Sequence, residues 1–187
     1  MPVPGLQNIS LDELFSENGI TLSVLRLDKI HPVVSGNKLF KLHYFLADAA
    51  ASAHKTILSF GGAYSNHLAA TAFACHAAGL HSIGVIRGEK PSQLSPTLQH
   101  CLEYGMQLKF ISREEYRQKE ESGQMAALRR IYGDCIIIPE GGFHPLGAKG
   151  AELIMGLLKE KHFSTISVLS GSSICVRTSN AKSLSSA

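Results

Sequence analysis

The sequence predicts an α/β protein built on a parallel sheet with helices on both faces, a compact three-layer unit. Three observations predict it. From Thr56 onward, short and nearly continuous apolar runs alternate with alanine-rich or charged stretches of helical length, the pattern of parallel strands buried on both faces. Those intervening stretches are long enough for the right-handed crossovers that parallel strands require. Glycines stand where two of the helices should end, Gly79 and Gly105, at positions suited to a left-handed cap.

In chain order, a polar start leads to Thr21 to Leu27 (T-L-S-V-L-R-L), whose alternation has the period of a half-buried strand, and then to a loop from Asp28 to Ser35. Leu39, Leu42, Phe45, Leu46 and Ala49 recur at helical spacing within Asn37 to Ala53, so a helix begins at or just after Gly36-Asn37, with Lys38 on its first turn. The strands expected next are Thr56 to Phe60, Ser82 to Arg87, Gln107 to Ile111 and Cys135 to Pro139. Helices near Ser65 to Ala78, Ser95 to Tyr104 and Arg113 to Tyr132 separate them. Gly141, Gly142, Pro145 and Gly147 break the pattern. A helix from Ala148 to Lys161 then leads to an apolar strand at Thr165 to Leu169, expected in a different sheet, and a small, polar tail runs from Ser170 to Ala187.

With 187 residues, 44% of them hydrophobic and 18% charged, the chain can bury one domain core, or one small domain and part of another. Its formal charge of +3 is spread over 18 basic and 15 acidic residues without a basic run, which sets nucleic acid aside as a partner. Residues Met1 to Asn8 carry no positive leader, and no apolar stretch approaches the roughly 18 residues of a membrane span, so a soluble cytoplasmic protein is expected. Cys75, Cys101, Cys135 and Cys175 lack C-x-x-C spacing and read as reduced, mostly buried thiols. The nine histidines never pair at i, i+4, so no metal is expected.

Chemistry concentrates in three segments. In Ser35-Gly36-Asn37-Lys38-Leu39-Phe40-Lys41, a glycine turns the chain into a helix whose free N–H groups favour an anion. Lys41 falls on nearly the same face as Lys38. Two ammonium groups there suit a phosphate-bearing cofactor, with one amine free to form an imine, and the neighbouring cation should lower the pKa of Lys38. In Ser59-Phe60-Gly61-Gly62-Ala63-Tyr64-Ser65-Asn66-His67, a buried strand runs through two glycines into a helix, at the sheet edge where α/β proteins bind ligands. Ser65 and Asn66 suit an N-cap and equally a ligand contact. The spacing is neither a dinucleotide fingerprint nor a Walker loop. In Pro139-Glu140-Gly141-Gly142-Phe143-His144-Pro145-Leu146-Gly147, the glycines permit close approach of backbone to a planar ligand or serve as a hinge, and His144 reads as a loop histidine.

In this order the three segments resemble the aminocyclopropane-carboxylate deaminase and D-cysteine desulfhydrase branch of fold type II pyridoxal-phosphate enzymes, over about Val24 to Leu169. The resemblance implies two three-layer α/β domains with pyridoxal 5'-phosphate in the cleft between them. Residues 1–54 and 146–170 would belong to a larger, incomplete domain, 55–145 to the smaller one, and 171–187 to an irregular tail. It implies that Lys38 carries the cofactor as an imine, that Asn37 and Lys41 hold its phosphate, and that Asn66 bonds its phenolic oxygen. Ser65, as a catalytic residue, would hold the substrate carboxylate with the helix N-terminus, and Asn66 and His67 would complete the substrate site.

The implied reaction releases ammonia and a 2-oxo acid from a small amino acid of the D-cysteine or 1-aminocyclopropane-1-carboxylate type, with sulfide also released from D-cysteine. A homodimer is implied for the whole protein. Where the family has a glycine- and threonine-rich phosphate loop, this chain reads Ser170-Gly171-Ser172-Ser173-Ile174-Cys175-Val176-Arg177. The expectation is therefore a shortened chain with little turnover. The residues alone are also compatible with a non-catalytic α/β ligand-binding or interaction module.

Overall fold

A computed structural model describes residues 5–119, 121–158 and 163–166. Its centre is a four-stranded parallel sheet, formed by β3 (Thr56–Gly61), β4 (His81–Arg87), β5 (Gln107–Ile111) and β6 (Ile136–Ile138) in the order β5-β4-β3-β6. β3 lies centrally, in register with β4 from Thr56↔His81 to Gly61↔Ile86 and with β6 from Ile57↔Ile136 to Ser59↔Ile138.

Alternation along β3 assigns the two faces. Leu58 and Phe60 point to one side, where they pack with Ile83, Val85, Tyr116 and Cys135 beneath α4 (Arg113–Arg117) and α5 (Ser122–Tyr132). Ile57 points to the other, into a core with Leu39, Leu42, Phe45 and Leu46 of α1 (Lys38–Ala51) and Ala70 and Ala74 of α2 (Asn66–Ala77). A neighbouring cluster joins α2 to Ile86 and to Leu98 and Cys101 of α3 (Pro96–Glu103). The three-layer α/β expectation therefore holds. Gly79 and Gly105 adopt φ of 65° and 77°, the left-handed geometry foreseen for both caps.

Three departures have local causes. The N-terminal segment forms a hairpin, β1 (Leu11–Glu17) with β2 (Ile20–Leu25), so the strand expected from Thr21 has an antiparallel partner. Its turn, Asn18-Gly19, has φ of 52° and 75°, the positive values that a two-residue hairpin turn requires.

The helix expected over Arg113 to Tyr132 is two helices. Its polar stretch from Gln118 to Glu121 offers no apolar residue to carry a stripe across the sheet. The last described helix, α6 (Pro145–Gly156), starts three residues before Ala148, because His144 caps it through Nδ1, accepting from Leu146 N–H at 3.2 Å, and Pro145 occupies N1. Thr165 and Ile166 are in no strand; the rest of the strand expected to Leu169, the end of the predicted helix at Lys161 and the tail from Ser170 lie outside the described residues.

Helix α6 lies across α1 at a distance that only glycine permits. A Cβ on Gly150 would collide with the carbonyl oxygen of Phe40, and one on Gly147 with that of Gly142. This packing brings the Glu140–Gly142 turn against the first turn of α1 and so positions the site.

Candidate active site

Gly36, at φ 73°, turns the chain into α1, and its N–H is held by the Leu27 carbonyl at 3.1 Å. Asn37 stands at the cap position, but its side chain does not cap. Its Oδ1 accepts instead from Lys38 Nζ at 2.9 Å, fixing the amine beside the helix mouth. One turn on, Lys41 is fully buried, and its Nζ donates to the Gly141 carbonyl at 3.3 Å.

Burial lowers the Lys38 pKa below its ordinary value. Lys41 falls to about 8, chiefly through burial and then through the Lys38 charge. The repulsion expected at Lys38 is thus felt at Lys41, whose ammonium has less access to water; at Lys38 desolvation is the cause.

The second segment turns through Gly61 and Gly62 into α2. A Cβ on Gly61 would stand 2.5 Å from Ser65 Oγ, so only glycine lets the turn close on its own cap. Ser65 Oγ accepts from Leu68 N–H at 3.3 Å, which leaves the hydroxyl hydrogen to donate. Ser65 is half-buried and Asn66, at the first helical position, is exposed.

The His67 imidazole turns inward and is only 3% exposed. The substrate contact expected of its side chain is poorly served by that placement. Its partner is Ser59, the one polar side chain among the buried residues of β3, and that isolation is the signal in the sequence for a role that the second segment was not assigned. Ser59 Oγ donates to the Ile138 carbonyl at 2.9 Å and therefore accepts from His67 Nε2–H at 2.9 Å, which leaves Nδ1 as a bare acceptor. Nδ1 is buried and has no hydrogen-bond partner among the described residues. Burial, followed by the Lys38 and Lys41 charges, holds the ring neutral by lowering its pKa to about 3.

Those two charges acting on His67 show that the first and second segments meet. The third meets them at Gly142, where a Cβ would lie 3.3 Å from Lys41 Cβ and 3.6 Å from His67 Cε1. Residues 36–41, 61–67 and 139–144 therefore converge on one pair of amines. His144 stands aside as a helix cap, its ring 5.3 Å from that of Phe45.

No family model matches the chain. Among solved structures, it aligns with the crystal structure of an ACC deaminase homologue at a TM-score of 0.67 and 24% identity, over 83% of this chain and 49% of that one. It aligns with O-ureido-L-serine synthase at a TM-score of 0.56 and 16% identity, over 82% of this chain and 48% of that one. The fold is that of the fold type II pyridoxal-phosphate enzymes.

Sequence narrows the class. The chain is 35% identical over 143 residues to a Thermotoga maritima protein that bears the provisional name 1-aminocyclopropane-1-carboxylate deaminase, covering 75% of this chain and 45% of that protein. It is 32% identical over 143 residues to the bifunctional D-cysteine desulfhydrase/1-aminocyclopropane-1-carboxylate deaminase of Arabidopsis thaliana, covering 71% of this chain and 35% of that protein. The chain belongs to the aminocyclopropane-carboxylate deaminase and D-cysteine desulfhydrase family. It spans about half the length of most of the curated relatives it matches.

Proposed function

We propose that this chain supplies the cofactor-carrying amine of a pyridoxal-phosphate-dependent deaminase or desulfhydrase that releases ammonia and a 2-oxo acid from a small amino acid. The observation that carries this reading is the convergence of three sequence-distant segments on Lys38 and Lys41, both with lowered pKa. The residues fit the group. Two amines on one helical turn, at the free N–H groups that open α1, suit an anion such as the cofactor phosphate.

Lys38 supplies the amine, and its lowered pKa raises the neutral, nucleophilic fraction near neutrality. Asn37 orients that amine through its Oδ1, and Lys41 opposes the phosphate charge. When bound, pyridoxal phosphate acts as the electron sink for bond cleavage at the amino acid. Asn66, exposed beside Ser65, would hold the cofactor ring through its phenolic oxygen. Ser65 and the N–H groups opening α2 hold the substrate carboxylate.

We read 1–54 and 146–170 as parts of a larger domain and 55–145 as the smaller one, a division supported by the close packing of α1 on α6. The substrate is of the D-cysteine or 1-aminocyclopropane-1-carboxylate type, and the whole protein is a homodimer. Titration with pyridoxal phosphate tests the reading: wild type develops a saturable visible band, Lys38→Ala develops none, and Lys41→Ala binds at least about tenfold more weakly. An unchanged spectrum in wild type, or an equal band in Lys38→Ala, contradicts it and favours a non-catalytic module.

A further inference from the structure

On the sheet face opposite α1, a cavity of about 380 Å³ is lined by Arg87, Arg113, Tyr116, Arg117, Lys119 and Glu140. Its walls stand at the carboxyl ends of three parallel strands: Arg87 closes β4, α4 follows β5, and Glu140 follows β6. This is the edge at which open parallel sheets bind ligands. Four cations face one carboxylate there, although no basic run occurs in the sequence. The fold gathers them from positions 87, 113, 117 and 119.

The way the cations are held keeps their charge available. Tyr116, only 3% exposed, packs edge-on against Phe60 with ring centroids 6.3 Å apart. The same ring carries Lys119 Nζ at 4.6 Å and the Arg87 guanidinium at 5.6 Å from its centroid. An aromatic ring positions a cation without neutralising it. Lys119 pairs with Glu140 at 3.4 Å, while Arg87, Arg113 and Arg117 enter no ion pair among the described residues. Arg113 and Arg117 are one helical turn apart on α4, and planar guanidinium groups on one face suit the forked geometry of phosphoryl or carboxylate oxygens.

We propose that this cavity binds a compact polyanion, a small molecule with clustered phosphoryl or carboxylate charge, at a site separate from the Lys38 amine. The volume lies near the lower end of the range of small-molecule sites, roughly 300–1,000 Å³, which suits a compact ligand. Glu140 acts as the resident counter-charge that the ligand displaces from Lys119. One backbone link joins the cavity to the amines: Glu140 precedes Gly141, whose carbonyl takes the Lys41 bond.

Calorimetric titration of the full chain with inorganic pyrophosphate, and separately with citrate, at ionic strength matched by sodium chloride, tests the proposal. The expected result is saturable binding in at least one arm, and the stronger arm identifies the phosphoryl or carboxylate source. Arg113→Gln/Arg117→Gln, at two exposed positions, weakens it at least about tenfold. Glu140→Gln tightens it several-fold, because the competing carboxylate is gone, and Lys38→Ala leaves it unchanged. Diffuse charge attraction would not saturate, and it would give the same loss when two exposed arginines outside the cavity, Arg129 and Arg130, are changed to glutamine instead. No saturation in either arm, wild-type affinity in the arginine pair, no gain in Glu140→Gln, or loss in Lys38→Ala overturns the proposal.

Discussion

A lysine with no exposed surface stores a pH dependence that its surroundings set. The folded pKa of Lys41 is about 8 against an ordinary 10.5, so between those values the unfolded chain binds more protons than the folded one. Stability therefore rises with pH through that window, by on the order of 3 kcal/mol at most. Urea denaturation from pH 7 to 10.5 should show this rise in wild type, while Lys41→Met lacks it. His67 acts in the same direction at lower pH: its folded pKa of about 3 lies below the ordinary 6.5, so stability falls as pH drops from 6.5 towards 3. His67→Gln should flatten that limb in the same assay. Ser59→Ala removes both the acceptor for His67 Nε2–H and the donor to Ile138, and should cost about 1–3 kcal/mol at pH 7. Among these residues, Lys38 and Lys41 were legible in the sequence because a turn glycine and helical spacing place them on one face. The Ser59–His67 pair was not, since a contact between a strand and the following helix has no spacing rule.

At the scale of elements, the cores of β3, β4 and β5 and of α1, α2 and α3 were legible, because buried parallel strands and capped amphipathic helices write themselves as local patterns. The missed elements had local signals of another kind. Asn18-Gly19 announces a hairpin, but Leu11–Glu17, with Leu14 and Phe15 adjacent, has no alternation from which its first strand could be read. The approach of α6 to α1 depends on tertiary geometry, and the glycine spacing at 147 and 150 alone could not announce it. Gly150→Ala should destabilise the chain by roughly 2–4 kcal/mol, since the added methyl meets Phe40 backbone that cannot yield without moving the Lys41 turn. Gly123→Ala, also helical but facing open space, should instead stabilise by a few tenths to about 1 kcal/mol. Thermal unfolding of the two variants checks both signs.

For the molecule as a whole, sequence periodicity delivered the layers, while the gathering of cations around Tyr116 and of three segments around Lys41 emerged only from the fold. The hairpin presents Phe15, Ile20, Leu22 and Val24 to solvent, with Phe15 directly opposite Leu22. An apolar two-stranded face of this kind predicts concentration-dependent association, and Phe15→Ser/Leu22→Thr should lower the apparent mass seen by light scattering. The proposed chemistry of the whole molecule rests on a single amine at the opening of α1. Borohydride reduction of the chain after addition of pyridoxal phosphate, followed by peptide mass mapping, tests it most directly. One stoichiometric adduct, on Lys38, is expected; adducts scattered over surface lysines, or an unmodified Lys38, would overturn the assignment of this amine.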